Sequence, residues 1–143
     1  LDEIDWQIIH ELRQDGRVSN SKIAKAAGVV EATVRSRMKR MREDGVLRIC
    51  GQVNPEFLDD HQLVLIGVKL KDGRYLKNKV GAFADLEEVR SVLITAGRYD
   101  LFLEVIVSNN RGLVNFLSGS LAEIEGVASS ESFVLLQTLR HWV

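Results

Sequence analysis

The chain has 143 residues, 45% of them hydrophobic and 27% charged, with a formal net charge of −1, which is the composition of a globular protein of one domain or two small ones. One Pro and 11 Gly exclude long disorder, and no apolar run approaches the roughly 20 residues of a transmembrane helix, so no membrane partner is expected. The acidic start LDEIDWQ shows no signal peptide, and the single cysteine, Cys50, admits no internal disulfide and reads as a small buried hydrophobe, so a reducing, cytoplasmic setting is expected.

Motif-borne chemistry is scarce. The histidines His10, His61 and His141 are scattered, so no metal site is expected and His10 and His141 read as satisfied or solvent-facing. There is no P-loop, GxGxxG, GxSxG or HExxH, so neither a cofactor nor a catalytic centre is expected. The charge, however, is uneven. Residues 1–50 hold ten Lys/Arg against eight Asp/Glu, net +2, and residues 51–143 hold nine against twelve, net −3. The window 17–48 alone holds nine basic and three acidic residues, net +6, as expected for a two-part protein that meets a polyanion.

In chain order, DEIDWQIIHELRQD (2–15) places Ile4, Ile8 and Leu12 on one helical face, with Ile9 beside them. Asp2 caps it, Asp5 makes an imperfect capping box, and Gly16 ends it. Ser19 is the expected N-cap of a short helix, NSKIAKAA, with Ile23 and Ala27 inward and a stop at Gly28. The next helix, within VVEATVRSRMKRMREDGVL (29–47), turns Val34, Met38 and Met41 inward and closes at Gly45. The following VLRICGQV is β-branched enough for a short strand or wing. The expected first domain, residues 1–53, is thus a helix-turn-helix, and NPEFLDDHQ carries the linker, residues 54–61.

Residues 62–143 change period. LVLIGVKLK alternates as a strand, YLKNKVGAFADL reads as a helix, VRSVLITA and YDLFLEVIV are strands, NRGLVNFLSGSLAEI is a helix and VASSESFVLLQTL a last strand. The order βαββαβ predicts a ferredoxin-like sandwich, and the whole chain an α+β two-domain protein with a winged helix-turn-helix at its N-terminus. Leu101, Leu103, Val105 and Val107 share one strand face, with Phe102 and Ile106 on the other. Leu63 and Leu65 likewise oppose Val64, Ile66 and Val68. Two apolar faces with only two helices to cover them imply an oligomer, at least a dimer, with Glu104 partly buried at its interface and in need of a partner.

With Val34, Met38 and Met41 inward, the 100° step points Ala32, Ser36, Lys39 and Arg40 outward and puts Thr33, Arg35 and Arg37 on the flanks. A charge run on a helix is in general a solvated face. Here the preceding short helix, the Gly turn and the opposite-signed second half favour a recognition helix whose N-terminal end enters the major groove of double-stranded DNA while Lys and Arg neutralise phosphates. Backbone N–H groups at Ser19, Asn20 and Ser21 would add phosphate contacts.

LDEIDWQIIHELRQDGRVSNSKIAKAAG followed by EATVRSRMKRMREDGVL resembles the DNA-binding domain of the leucine-responsive regulatory protein/asparagine regulator (Lrp/AsnC) family. The βαββαβ half, with TAGRYD between its middle strands, resembles that family's amino-acid-binding domain, so the resemblance covers essentially the whole chain. It implies a transcription regulator that dimerises through the second domain, assembles to tetramers or octamers and binds a small amino acid between dimers. It also implies base-facing roles for Ala32, Thr33 and Ser36, and phosphate contacts from Arg35, Arg37, Lys39 and Arg40. Two departures stand out. Val30 replaces the Ser or Thr that often caps the recognition helix, leaving Glu31 to complement the helix dipole.

The second departure lies at the implied effector site, Gly97, Arg98, Tyr99 and Asp100 with Ser130 and Ser132, where Arg98 stands in place of a common acidic residue. Gly97 is expected to free the backbone of a tight turn whose amides cradle a carboxylate, with Asp100 pairing an α-ammonium. Ordinary hairpin chemistry accounts for the same four residues, and polar residues at a strand end account for the two serines. Two further readings stay open: an architectural protein that wraps DNA without sequence choice, and an enzyme like the siroheme decarboxylases, which resemble the same two-domain architecture.

Overall fold

The computed structural model describes residues 1–143, which divide into two compact units, Leu1–Gly51 and Gln52–Val143. No helix is long and apolar enough to cross a membrane.

The first unit is three helices, α1 (Glu3–Gln14), α2 (Asn20–Ala27) and α3 (Glu31–Glu43). Their seams meet in one core of Ile8, Leu12, Ile23, Ala24, Val34 and Met41, with Ile4, Ile9, Val18, Val29, Met38 and Leu47 packed around it. Ala24 takes the buried place expected of Ala27, which is half-buried. The Asp2/Asp5 capping box is complete, each side chain accepting from the other's backbone N–H. α1 stops at Asp15, one residue before the expected Gly16. Gly28 does end α2 as expected, at φ +66, where a Cβ would be strained.

The expected wing does not form: residues 47–54 hold no strand. A strand needs a ladder partner, and the first unit offers none, so Val46 and Ile49 stay exposed despite their β-branching. Val53 instead exchanges two backbone hydrogen bonds with Val143 inside the second unit, at 2.8 and 3.1 Å. Cys50 is exposed rather than buried, because it lies past Leu47, the last residue of the first unit that packs against its core.

The second unit runs β1 (Gln62–Leu70), α4 (Arg74–Ala84), β2 (Val89–Ile94), β3 (Leu101–Val107), α5 (Asn110–Asn115) and β4 (Val127–Val134). The strands form one antiparallel sheet in the order β2-β3-β1-β4, the ferredoxin-like arrangement that βαββαβ predicts. The helix expected over 110–124 is regular only to Asn115 and widens into a π-turn over Phe116–Ser120. There Ser118 returns its hydroxyl to the Val114 carbonyl at 2.8 Å, and Gly119 lowers helix propensity.

The alternation falls as read. Val64, Ile66, Val68, Leu101, Leu103, Val105 and Val107 bury against Phe83, Phe116 and Leu121. The other face carries Leu63, Leu65, Phe102 and Ile106, with Leu93 and Phe133 exposed. Glu104 finds its partners within the chain: the Ser91 hydroxyl donates to it at 2.9 Å, and His141 Nε2 lies 2.5 Å away.

Candidate nucleic-acid interface and effector loop

Val34 and Met41 fix the rotation of α3, and with it every other side chain on the helix. Ala32, Arg35, Ser36, Lys39, Arg40 and Arg42 are exposed, and Thr33 and Arg37 are half-buried. The N-terminal end therefore presents small side chains, and its C-terminal half presents cations. Arg35 pairs with Glu31 one turn back at 2.6 Å, and Lys39 with Glu43 at 3.8 Å. Both pairs are solvent-exposed and so are easily exchanged for a phosphate. Arg42, which is not among the expected phosphate contacts, is also exposed on this helix.

Val30 is the N-cap of α3 and makes no side-chain capping bond, as expected. Its side chain is 68% exposed, so burial does not compensate for the missing bond. Ser19 does cap α2, accepting from Lys22 N at 3.2 Å, so its hydroxyl is already engaged. Asn20 is half-buried and Ser21 exposed at the same helix start.

Arg37 and Arg40 depart most from the sequence-based expectation. Both reach across to the N-terminus of α1. Arg37 Nη1 donates to both oxygens of Asp2, at 2.6 and 2.7 Å, and to Asp5 Oδ1 at 3.0 Å. Arg40 Nη2 donates to Asp5 Oδ2 at 2.7 Å. Asp5 is only 1% exposed and is the buried charged residue of the protein. The Arg37 guanidinium, followed by the backbone N–H of Asp5, brings the Asp2 carboxyl down to about 2. Burial by itself would raise the Asp5 carboxyl, but the Asp2 backbone N–H, Arg37 and the charge of Arg40 outweigh it, and it too is lowered. The sequence marks Asp2 and Asp5 only as caps. The signal that was available is the i, i+3 spacing of Arg37 and Arg40, which puts two cations on one flank of α3.

The loop between β2 and β3 is built by short polar bonds. Thr95 Oγ1 donates to the Tyr99 carbonyl at 2.8 Å, and Asp100 N donates to the Val68 carbonyl at 2.9 Å. Asp100 Oδ2 accepts from Leu70 N at 2.7 Å. Lys69 Nζ donates to the Arg98 carbonyl at 3.3 Å, and the Arg98 guanidinium sits 5.7 Å from the Tyr99 ring centroid. Gly97 is not in the left-handed region, and a Cβ there would meet nothing within 4 Å, so the turn does not depend on its freedom as expected.

The glycine that matters is Gly67, whose missing Cβ leaves room for Tyr99. That ring lies on the open sheet face, edge-on to Phe102 and Phe133 with centroids 5.3 and 6.4 Å apart. Ser130 and Ser132 stand opposite Val68 and Ile66, on the helix-covered side of the sheet. Their shared strand face was expected, but within one chain they and Tyr99 lie on opposite sides.

The match to known proteins follows this division. Residues 1–42 match the AsnC-type helix-turn-helix domain, and residues 63–141 match the Lrp/AsnC ligand binding domain. The HTH-type transcriptional regulator FL11 of Pyrococcus furiosus is 36% identical over 140 residues, 96% of this chain and 90% of that protein. Among solved structures, Escherichia coli AsnC superposes with a TM-score of 0.74 at 25% identity, covering 96% of this chain and 93% of that one. The feast or famine regulatory protein of Mycobacterium tuberculosis, complexed with L-methionine, superposes at 0.80 with 27% identity, covering 99% and 95%. The two-domain fold, the helix-turn-helix and these relatives together establish that the chain belongs to the Lrp/AsnC family of transcription regulators.

Proposed function

We propose that this protein is a sequence-specific regulator that binds double-stranded DNA as a homo-oligomer and responds to a small amino acid held between dimers at Gly97–Asp100. One observation carries the reading. α3 is clamped by one face into a closed three-helix core, and it offers small side chains at one end and cations along the rest. Ala32, Thr33 and Ser36 let the helix approach base edges, while Arg35, Lys39, Arg40 and Arg42 meet phosphates. Backbone N–H groups at the start of α2, near Ser19, Asn20 and Ser21, add to the phosphate grip.

A single short helix reads few base pairs, so selectivity comes from pairing copies. The open sheet face, with Leu93 and Phe133 exposed beside Phe102 and Ile106, supports a second copy as its cover. For the effector, the support is the Asp100 carboxylate, held by the Leu70 N–H through one oxygen, together with the L-methionine complexed with the M. tuberculosis relative.

Footprinting tests the DNA reading. A regulator protects half-sites about one helical turn, roughly 34 Å, apart on one face of the DNA. Uniform protection of unrelated DNA would leave only an architectural role. A thermal-shift panel of amino acids, read beside particle mass with and without each, tests the effector: a hit raises the midpoint and changes the mass, and no hit removes it.

A further inference from the structure

Asp5 has three donors on one buried carboxylate. Asp2 N gives 3.1 Å to Oδ2, Arg40 gives 2.7 Å to the same oxygen, and Arg37 gives 3.0 Å to Oδ1. Charge neutralises within the cluster, two arginines against Asp2 and Asp5, and the N-terminal end of α1 further favours the two carboxylates. The two arginines are not equivalent. The Arg37 side chain is only 22% exposed, and one of its terminal nitrogens, Nη1, donates to both carboxylates through three hydrogen bonds. Arg40 is 52% exposed: it gives one terminal nitrogen to Asp5 and keeps the rest of the guanidinium in solvent.

A planar guanidinium held by a carboxylate on one edge has a defined direction on the other. The ordering of a long side chain is then already complete before DNA arrives, which removes part of the cost of binding.

We infer that Asp5 is a positioning residue for DNA binding: it aims Arg40 at a phosphate, while Arg37 is consumed in bolting α3 to α1 and makes no phosphate contact. The inference rests on the reading of α3 as the DNA-facing helix. It reassigns Arg37 and gives α1, which is distant in sequence from the recognition helix, a direct part in presenting its charge.

The test is a double-mutant cycle on the full-length protein, with DNA affinity measured across a salt series. Arg40→Ala weakens binding to every sequence and lowers the salt slope by about one, as loss of one phosphate contact requires. Asp5→Asn leaves Arg40 in place, so the slope is kept while affinity falls about tenfold. In the Arg40→Ala background Asp5→Asn has no further effect, because its target is gone. Arg37→Ala lowers the unfolding temperature and leaves the slope at the wild-type value.

Additive losses for Asp5→Asn and Arg40→Ala, or a slope reduced by about one in Arg37→Ala, would overturn the inference. If Asp5→Asn does not fold, Arg40→Lys decides. Lysine keeps the charge but cannot hold Asp5 and a phosphate on two edges of one plane, so the slope persists with about tenfold weaker binding. Equal affinity for Arg40→Lys would overturn the inference as well. Should the wild-type protein show no salt-dependent DNA binding, the reading of α3 falls and the inference with it. Additive losses in a protein that does bind sink the inference alone.

Discussion

At the scale of single residues, acid and glycine chemistry make the sharpest expectations. The carboxyls of Asp2 and Asp5 titrate below their ordinary range in the folded chain, Asp2 at about 2. Their contribution to stability is therefore complete above the unfolded value near 4 and is lost as pH falls from there toward 2. Denaturation midpoints measured from pH 6 to pH 2 fall across that window, and Asp2→Asn flattens the fall. A fall of unchanged size in the variant would remove the Arg37 pair as its cause. Gly67 gives a second expectation. A Cβ at this position would sit 2.8 Å from the Tyr99 ring, so Gly67→Ala displaces the ring or strains the sheet at a cost of about 1–3 kcal/mol. Gly97→Ala meets no such wall and leaves stability near wild type. Urea titration of the two variants checks the order, and equal losses would contradict it.

At the scale of elements, the recognition helix is the one helix of the first unit whose N-cap side chain makes no capping bond, because Val30 has no oxygen to offer. Val30 is largely exposed, so Val30→Thr gives up little burial and adds the missing bond. The substitution is expected to stabilise the protein by about 1 kcal/mol, read as a rise in unfolding free energy. A loss would mean that Val30 packs against something its exposure does not reveal. The wing shows the converse limit. VLRICGQV has strand composition, but β-propensity describes fit to a neighbouring strand, and the first unit holds only helices. The second unit was legible chiefly through β3, whose seven residues alternate strictly between buried and half-buried. The break after Asn115 was not, because helix periodicity does not mark where one extra residue enters a turn.

At the scale of the whole molecule, the open face of the sheet is the surface proposed to meet a second copy. Leu93 is half exposed there, opposite Phe102, so Leu93→Glu leaves the helix-covered core untouched and places a charge on the expected contact. Sedimentation velocity is expected to show the variant as a monomer, with DNA affinity lower by 10²-fold or more as two linked contacts become one. An unchanged mass would move the oligomer contact elsewhere.

Sequence alone determined the elements with strong local periods, their inward faces, the Gly28 turn and the family, because each is written in residues within a few positions of one another. It also marked Val30 as an uncapped start and the outer face of α3 as basic. Only the tertiary structure decided which of those basic residues are available. Arg37 and Arg40 look alike along the helix, but carboxylates 32 to 35 residues away hold Arg37 by three hydrogen bonds and Arg40 by one, and leave Arg40 the more exposed. Only the folded sheet, likewise, shows that Tyr99 rests on Gly67 and that Ser130 and Ser132 face away from it. Periodicity records which way a side chain points, and the partner it meets there depends on packing between elements distant in the chain.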